Sequence, residues 1–538
     1  MPSKRVGIIG AGASGLPAIR ICLEYGFEPV CYEKTGDLGG LWRYRKEIDE
    51  EGCVMKSTVI NTSKEMTAYS DFPPSQELAN FMHNTQMLKY LRMYADHHKL
   101  RRYIHFNTTV LDVRRADDCA TSGKWTVRTH DNETGEEKTE TFDGILCCTG
   151  HHVQPYVAHF ENEESFKGRV LHSHSYRDHV GFEDKRVVIV GIGNSGGDAA
   201  VELSRIASQV YLVTRRGSWV VNRIWRRGVP IDIANVCRFL TILRYAAPKV
   251  AEWLSKLELN GRFDHETYGL KPKHGPFSAH VTVNDELPNR IACGTIRIKP
   301  QIARFVGDHS IEFVDGSKID DIDVLIKCTG YSFHFPVLEK GQLIPVKENK
   351  VQLYQFMYDP TLARPETMAI IGLIQPLGSI MPISELQCRV FCDVLSGRSR
   401  LPDKHGMLEN IRMKTDAMAK QFVASRRHTI QVDYSVYMDE IADLIGARPD
   451  WKQFLKQGDP RLAYHLLFGS QASYHYRLVG PHPWPQARQT IMGLPERVKK
   501  ATQVSLKDSN SMRTTDKLDF YSILLLALVF ALVVYFFW

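Results

Sequence analysis

Residues 4–33 read KRVGIIGAGASGLPAIRICLEYGFEPVCYE, and their pattern decides the fold. KRVGII is a short apolar run rich in β-branched residues. Gly10-Ala11-Gly12-Ala13-Ser14-Gly15 follows as a complete G-x-G-x-x-G. Leu16, Ile19 and Leu23 then recur at helical spacing, and EPVCYE reads as a second strand. Strand, glycine turn, helix, strand is a βαβ unit. In such a unit the first glycine permits the turn, the second lets backbone approach a pyrophosphate, and the third lets helix pack closely on strand. The helix N-terminus offers N–H donors and partial positive charge to phosphate. Glu33 closes the second strand, where a carboxylate accepts hydrogen bonds from both ribose hydroxyls of an adenosine. Gly39-Gly40-Leu41-Trp42 brings more backbone close to the same ligand; Trp42 either covers its ring system or plugs the core.

The pattern returns at 186–216. RVVIV is a strand, Gly191-Ile192-Gly193-Asn194-Ser195-Gly196 a second G-x-G-x-x-G, GDAAVELSRIA a helix and QVYLVTR a strand. Counted from the first glycine, Thr214 stands where Glu33 stands in the first unit, and Arg215 and Arg216 follow it. A carboxylate there repels a 2′-phosphate, whereas a hydroxyl and a guanidinium bind one. Arg223 lies close behind and within reach of the same phosphate. The first unit suits FAD and the second NADP. The expected fold class is α/β, with two Rossmann-like dinucleotide-binding domains. Two further apolar runs, DGILCCTG at 143–150 and DVLIKCTG at 323–330, end alike in Thr-Gly, as strands leaving a sheet at crossings between two domains.

From these markers we expect the first part of an FAD domain over 1–155 and an NADPH domain over 156–330. An irregular helical insertion occupies about 230–290, and the chain returns to the FAD domain over 331–505. Within the insertion, TILRYAAPKVAEWLSKLEL reads as amphipathic helix interrupted by Pro248, which either touches a membrane surface or packs on the body, the second being the expectation. Phe520–Trp538 carries no charge and would span roughly 28 Å as a helix, close to a bilayer core. It is read as a C-terminal transmembrane anchor, with Lys507, Arg513 and Lys517 keeping the body cytosolic. The N-terminus has no signal-peptide core.

At 538 residues the chain exceeds one compact core. A composition of 43% hydrophobic and 24% charged residues excludes a disordered or polytopic membrane chain. The net charge of +7 is too dilute at this length to argue for nucleic acid. The 11 cysteines show neither metal-site nor disulfide spacing. Cys147-Cys148 reads as buried thiol. No C-x-x-C lies in the first 60 residues, so an FAD unit beside an NADPH unit has no dithiol to reduce, and O2 remains the natural acceptor.

Phe166-Lys167-Gly168-Arg169-Val170-Leu171-His172-Ser173-His174-Ser175-Tyr176 fits F-x-G-x-x-x-H-x-x-x-Y. This resembles the signature of the flavin-containing monooxygenases. NTSKEM at 61–66, YGLKP at 268–272 and CTGYSF at 328–333 extend the likeness over nearly the whole chain, and the apolar tail is similar to that of the microsomal members. The resemblance implies an endoplasmic-reticulum enzyme that uses FAD and NADPH to oxygenate small nitrogen and sulfur nucleophiles with O2 through a C4a-hydroperoxyflavin. Asn61, flanked by Ile60 and Thr62, is then the residue beside the reacting flavin atom. Ser195, Gly196, Gly197 and Asp198 line the NADP turn, and Gln375 contacts the nicotinamide side. His172 and Tyr176 are implied to be structural. An NADPH oxidase releasing peroxide and a Baeyer–Villiger oxygenase of ketones are the alternatives, although Tyr176 in place of the usual Trp points away from the latter. The sequence is compatible with a homo-oligomer and fixes no oligomeric state.

Overall fold

A computed structural model describes residues 3–503, and the elements below all belong to the compact unit Met1–Ala501. In chain order they begin with β1 (Arg5–Ile9), α1 (Gly15–Glu24), β2 (Glu28–Tyr32), β3 (Ile104–His105) and β4 (Gly144–Cys147). Next come β5 (Arg169–His172), β6 (Arg186–Val190), α2 (Asn194–Leu203) and β7 (Gln209–Val213). Three insertion helices follow: α3 (Ile231–Asn235), α4 (Arg238–Ala246) and α5 (Pro248–Arg262). The chain continues through β8 (Ile296–Lys299), β9 (Val324–Lys327), β10 (Met368–Ile370), β11 (Gln375–Pro376), α6 (Ile380–Leu395) and β12 (Gln431–Val432).

Two five-stranded parallel sheets result. The first has the order β10–β4–β1–β2–β3 and the second β8–β7–β6–β9–β5. Val6, Ile8, Ile145 and Leu146, and likewise Val187, Ile189, Leu212 and Ile326, are fully buried. This is why the central strands read as continuous apolar runs and not as alternating ones. In each sheet the strand preceding the glycine turn has its successor on one side and a Thr-Gly strand on the other. That reversal opens a crevice at the carboxyl ends of β1 and β6, where ligands of open α/β sheets sit. The two Thr-Gly ends turn through left-handed glycines, Gly150 at φ +73° and Gly330 at φ +91°. The strands leaving them then run antiparallel, Gln154 beside Ser332 and Pro155 beside Tyr331. β10 brings the chain back to the first sheet beside β4.

Helix α1 is held from behind by α6. Ser14 Oγ lies 3.0 Å from Ser384 Oγ, and the α1 residue Cys22 lies 3.7 Å from Cys392 in Sγ–Sγ distance. The fully buried Arg477 ties Glu24 at 3.0 Å to Glu385 at 3.2 Å.

Pro248 does not kink one helix; it begins α5, a position where its missing N–H costs nothing. The expectation that this pair packs on the body fails for its outer face. α5 has no buried residue, and Ile242, Tyr245, Val250, Trp253 and Leu257 are exposed. Their spacing puts the α5 side chains Val250, Trp253 and Leu257 on one face. Among the described residues no helix is long and apolar enough to cross a membrane. The anchor expected at 520–538 lies outside the described residues.

Candidate functional site

The two glycine turns share one geometry. A Cβ on Gly15 would stand 1.8 Å from the carbonyl oxygen of Gly10, and a Cβ on Gly196 would stand 1.8 Å from that of Gly191. No side chain fits at either third position. Gly10 (φ +96°) and Gly191 (φ +109°) hold left-handed conformations against the carbonyls of Cys148 and Cys328. The second glycines differ in their surroundings. Gly12 faces only the backbone of Gly40, 3.6 Å from its would-be Cβ, which leaves room for a pyrophosphate. Over Gly193 stands the guanidinium of Arg427.

Both turns open into a single cleft of roughly 690 Å³, within the range of cofactor-sized pockets. Gly10, Gly12, Ala13 and Ser14 line one wall with Glu33, Gly40, Leu41 and Trp42. Gly193, Asn194, Ser195 and Gly196 line the other, and Ile60, Asn61, Thr62 and Gln375 stand in the same space. Glu33 is fixed by local contacts. One carboxylate oxygen accepts the N–H of Ala11 at 2.8 Å, and the other accepts the N–H and hydroxyl of Thr35 at 3.0 and 2.7 Å. The open backbone at Gly12 and Gly40 with Glu33 at the strand end fits a flavin dinucleotide. The second turn, with Thr214 and the exposed Arg215 beside its strand end, fits a phosphorylated nicotinamide dinucleotide.

Other expected residues stand outside the cleft wall. Ala11, Gly15, Gly191 and Gly197 are turned inward as packing positions. Thr214 spends its oxygen on the N–H of Gly217 at 2.9 Å. Asp198 does not line the turn. It accepts from Asn284 Nδ2 at 2.9 Å beneath the 282–285 loop, and burial pushes its pKa up to about 6. Arg223 has protein partners in this structure. It pairs with Asp285 at 2.7 Å and turns to the 59–61 loop, donating to the carbonyls of Val59 and Ile60 at 3.2 Å and to Asn61 Oδ1 at 2.7 Å. This loop is pinned a second time, because Asp232 of α3 accepts the N–H of Ser63 at 2.6 Å. Burial raises the Asp232 pKa to about 6.

With Asn61 Oδ1 taken by Arg223, the two N–H donors of its amide have no acceptor among the described residues and can serve a ligand. Among the described residues no carboxylate–histidine–nucleophile constellation accompanies it. The cleft thiols are Cys148 and Cys328, at the ends of strands in different sheets, and burial drives both pKa values up, that of Cys328 to about 12. Tyr176 is buried and its hydroxyl donates to Glu202 of α2 at 2.7 Å, while His172 accepts the N–H of His174 at 3.0 Å. Sequence reasoning did not single out His152, His280, Tyr331, Arg426 or Arg427 as site residues, although all line the cleft. Tyr331 lies in the CTGYSF stretch, whereas the other four lie in none of the motifs read from the sequence and are delivered by long-range packing.

The family model described as flavin-binding monooxygenase-like matches residues 3–536. Flavin-containing monooxygenase 5 of Rattus norvegicus is 46% identical over 538 residues, covering 99% of each chain. Flavin-containing monooxygenase 2 of Homo sapiens is 41% identical over 533 residues, covering 98% of each. Among solved structures, the S-allyl-L-cysteine S-oxygenase from Allium sativum superposes with a TM-score of 0.64 at 23% identity, covering 91% of this chain and 99% of that one. It shares the fold. The match of nearly the whole chain, on a body with paired dinucleotide turns facing one cleft, shows that the chain belongs to the flavin-binding monooxygenase-like family and is an oxidoreductase.

Proposed function

We propose that this chain oxygenates soft nitrogen and sulfur nucleophiles, such as tertiary amines and thioethers, at the expense of NADPH and O2. The observation that carries the reading is the Asn61 amide. It stands in the cleft shared by the two turns with its oxygen held by Arg223 and its N–H donors unspent. On this reading residues 1–155 and 331–505 hold FAD, 156–330 hold NADPH, and Phe520–Trp538 anchors the body to the endoplasmic-reticulum membrane on its cytosolic side.

When bound, FAD would supply the redox chemistry that links NADPH to O2 activation and oxygen transfer. The protein's own residues position and protect. Glu33 holds the adenosine ribose of FAD, and the α1 N-terminus faces its pyrophosphate. Asn61 would offer its amide N–H donors to the flavin and to the nicotinamide in the shared cleft. Ile60, Trp42 and residues 378–381 line the cleft, and their role would be to keep bulk water from the oxygen-transferring site. No side chain is needed as a general base.

The experiment is to supply purified holoprotein with NADPH, O2 and either methimazole or 2-heptanone, and to measure oxygenated product and hydrogen peroxide separately. Methimazole oxygenation close to the NADPH consumed is the expected result. Peroxide alone would make the chain an NADPH oxidase, and ester formed from the ketone would make it a Baeyer–Villiger enzyme.

A further inference from the structure

Arg427 is a cation placed where a cation is unfavourable. Its guanidinium nitrogens lie 2.8 and 3.2 Å from the place a Cβ on Gly193 would occupy, directly over the residue that caps the N-terminus of α2. That helix end carries partial positive charge, so an unaccompanied guanidinium above it is repelled. Among the described residues no carboxylate, carbonyl or hydroxyl accepts from its guanidinium. Its neighbours His152 and His280 are no anions. Its side chain is exposed, and it lines the open cleft.

The segment that carries Arg427 is tied down around it. Val423 N–H donates to Ser278 O at 2.9 Å, His428 Nδ1 lies 2.8 Å from Val423 O, and Gln375 N–H donates to Ile430 O at 2.8 Å. The adjacent Arg426 is spent on Glu348 at 3.0 Å and on the face of Tyr156 at 4.6 Å. Arg427 alone of the pair is held over the second turn without an acceptor among the described residues.

We propose that Arg427 is the counter-charge for the pyrophosphate of NADP(H), so that the dinucleotide is clasped between the α2 N-terminus on one side and this guanidinium on the other. One anion between the two positive groups satisfies both, and a guanidinium fork matches paired phosphate oxygens. The inference rests on reading the 186–216 unit as the NADPH site, and it does not depend on which substrate is oxygenated. It explains why the 423–431 strap crosses the second unit, since a segment remote in sequence then retains the nicotinamide cofactor there.

The test uses full-length, FAD-loaded protein with Arg427→Gln and Arg427→Lys variants. Dissociation constants are measured by equilibrium dialysis for NADP+, for NAD+, and for 2′-AMP, which carries the extra phosphate without the pyrophosphate. Arg427→Gln is expected to weaken NADP+ and NAD+ by the same factor, about tenfold or more for a lost charge-assisted contact. Arg427→Lys should fall between, and 2′-AMP binding and FAD per chain should stay unchanged. Unchanged NADP+ affinity overturns the proposal. So does a loss of 2′-AMP binding equal to that of NADP+, which would assign Arg427 to the 2′-phosphate, or loss of FAD from both variants, which would make it a folding residue. Failure of the unaltered protein to bind NADP+ would instead sink the reading of the second unit.

Discussion

Asn61 can be a donor toward a flavin only if its amide faces the right way, and a free amide has no preference. Arg223 supplies that preference by taking the oxygen at 2.7 Å, and Asp285 holds Arg223 in place at 2.7 Å. In Arg223→Gln the amide is released. We expect oxygenated product per NADPH to fall about tenfold, since small misplacements of a reacting geometry are costly. Peroxide should rise in its place, with FAD content and NADP+ affinity unchanged. If NADP+ affinity dropped while NAD+ affinity held, Arg223 would be reading the 2′-phosphate, as its sequence position beside Thr214 suggested. Glu33 behaves differently. Its partners Ala11 and Thr35 are local, so its place was legible from the strand end alone.

At the level of elements, the third glycines are the sharpest constraint. Alanine at Gly15 or Gly196 puts a methyl 1.8 Å from a backbone oxygen, which forces helix and strand apart at a cost of about 3 kcal/mol or more. Gly196→Ala should yield protein that still carries FAD but has lost measurable NADP+ binding; Gly15→Ala should be isolated without flavin. Loss of both cofactors from Gly196→Ala would mean that the two units do not hold their ligands separately. The helices α4 and α5 were legible as helices but not in their packing. Amphipathic spacing announces that a face wants cover without saying what covers it, and Trp253 and Leu257 remain 56% and 50% exposed.

For the whole molecule, the buried histidines set the response to acid. His152, His172 and His280 are held down to about 4 by burial, whereas an unfolded chain titrates them near 6.5. The unfolded state therefore binds more protons between about pH 6.5 and 4, so this contribution to stability is complete above 6.5 and is lost as pH falls through that window. Asp198 and Asp232, raised to about 6, act in the opposite sense over about 3.8 to 6, but they are fewer. Tm followed by scanning fluorimetry should fall from pH 7 to pH 5; a rise would mean that the two carboxylates dominate. Membrane attachment is tested at the same scale. Deleting residues 520–538 should release the chain from membranes in detergent-free extracts. Retention of the truncated chain would shift the holding role to the open apolar face of α4 and α5.

Both dinucleotide units, the contrast between Glu33 and Thr214, and the two Thr-Gly strand ends were determined by the sequence on its own. Each depends on backbone conformations and close contacts made within one short unit, so local residue types suffice to specify them. The clamp on Asn61 and the guanidinium over Gly193 were decided only by tertiary structure. Arg223 reaches back 162 residues to Asn61, and Arg427 meets a turn far earlier in the chain. No spacing rule connects such positions. They meet because two sheets and a returning strap fold around one cleft, where a charge is placed by whatever packs behind it.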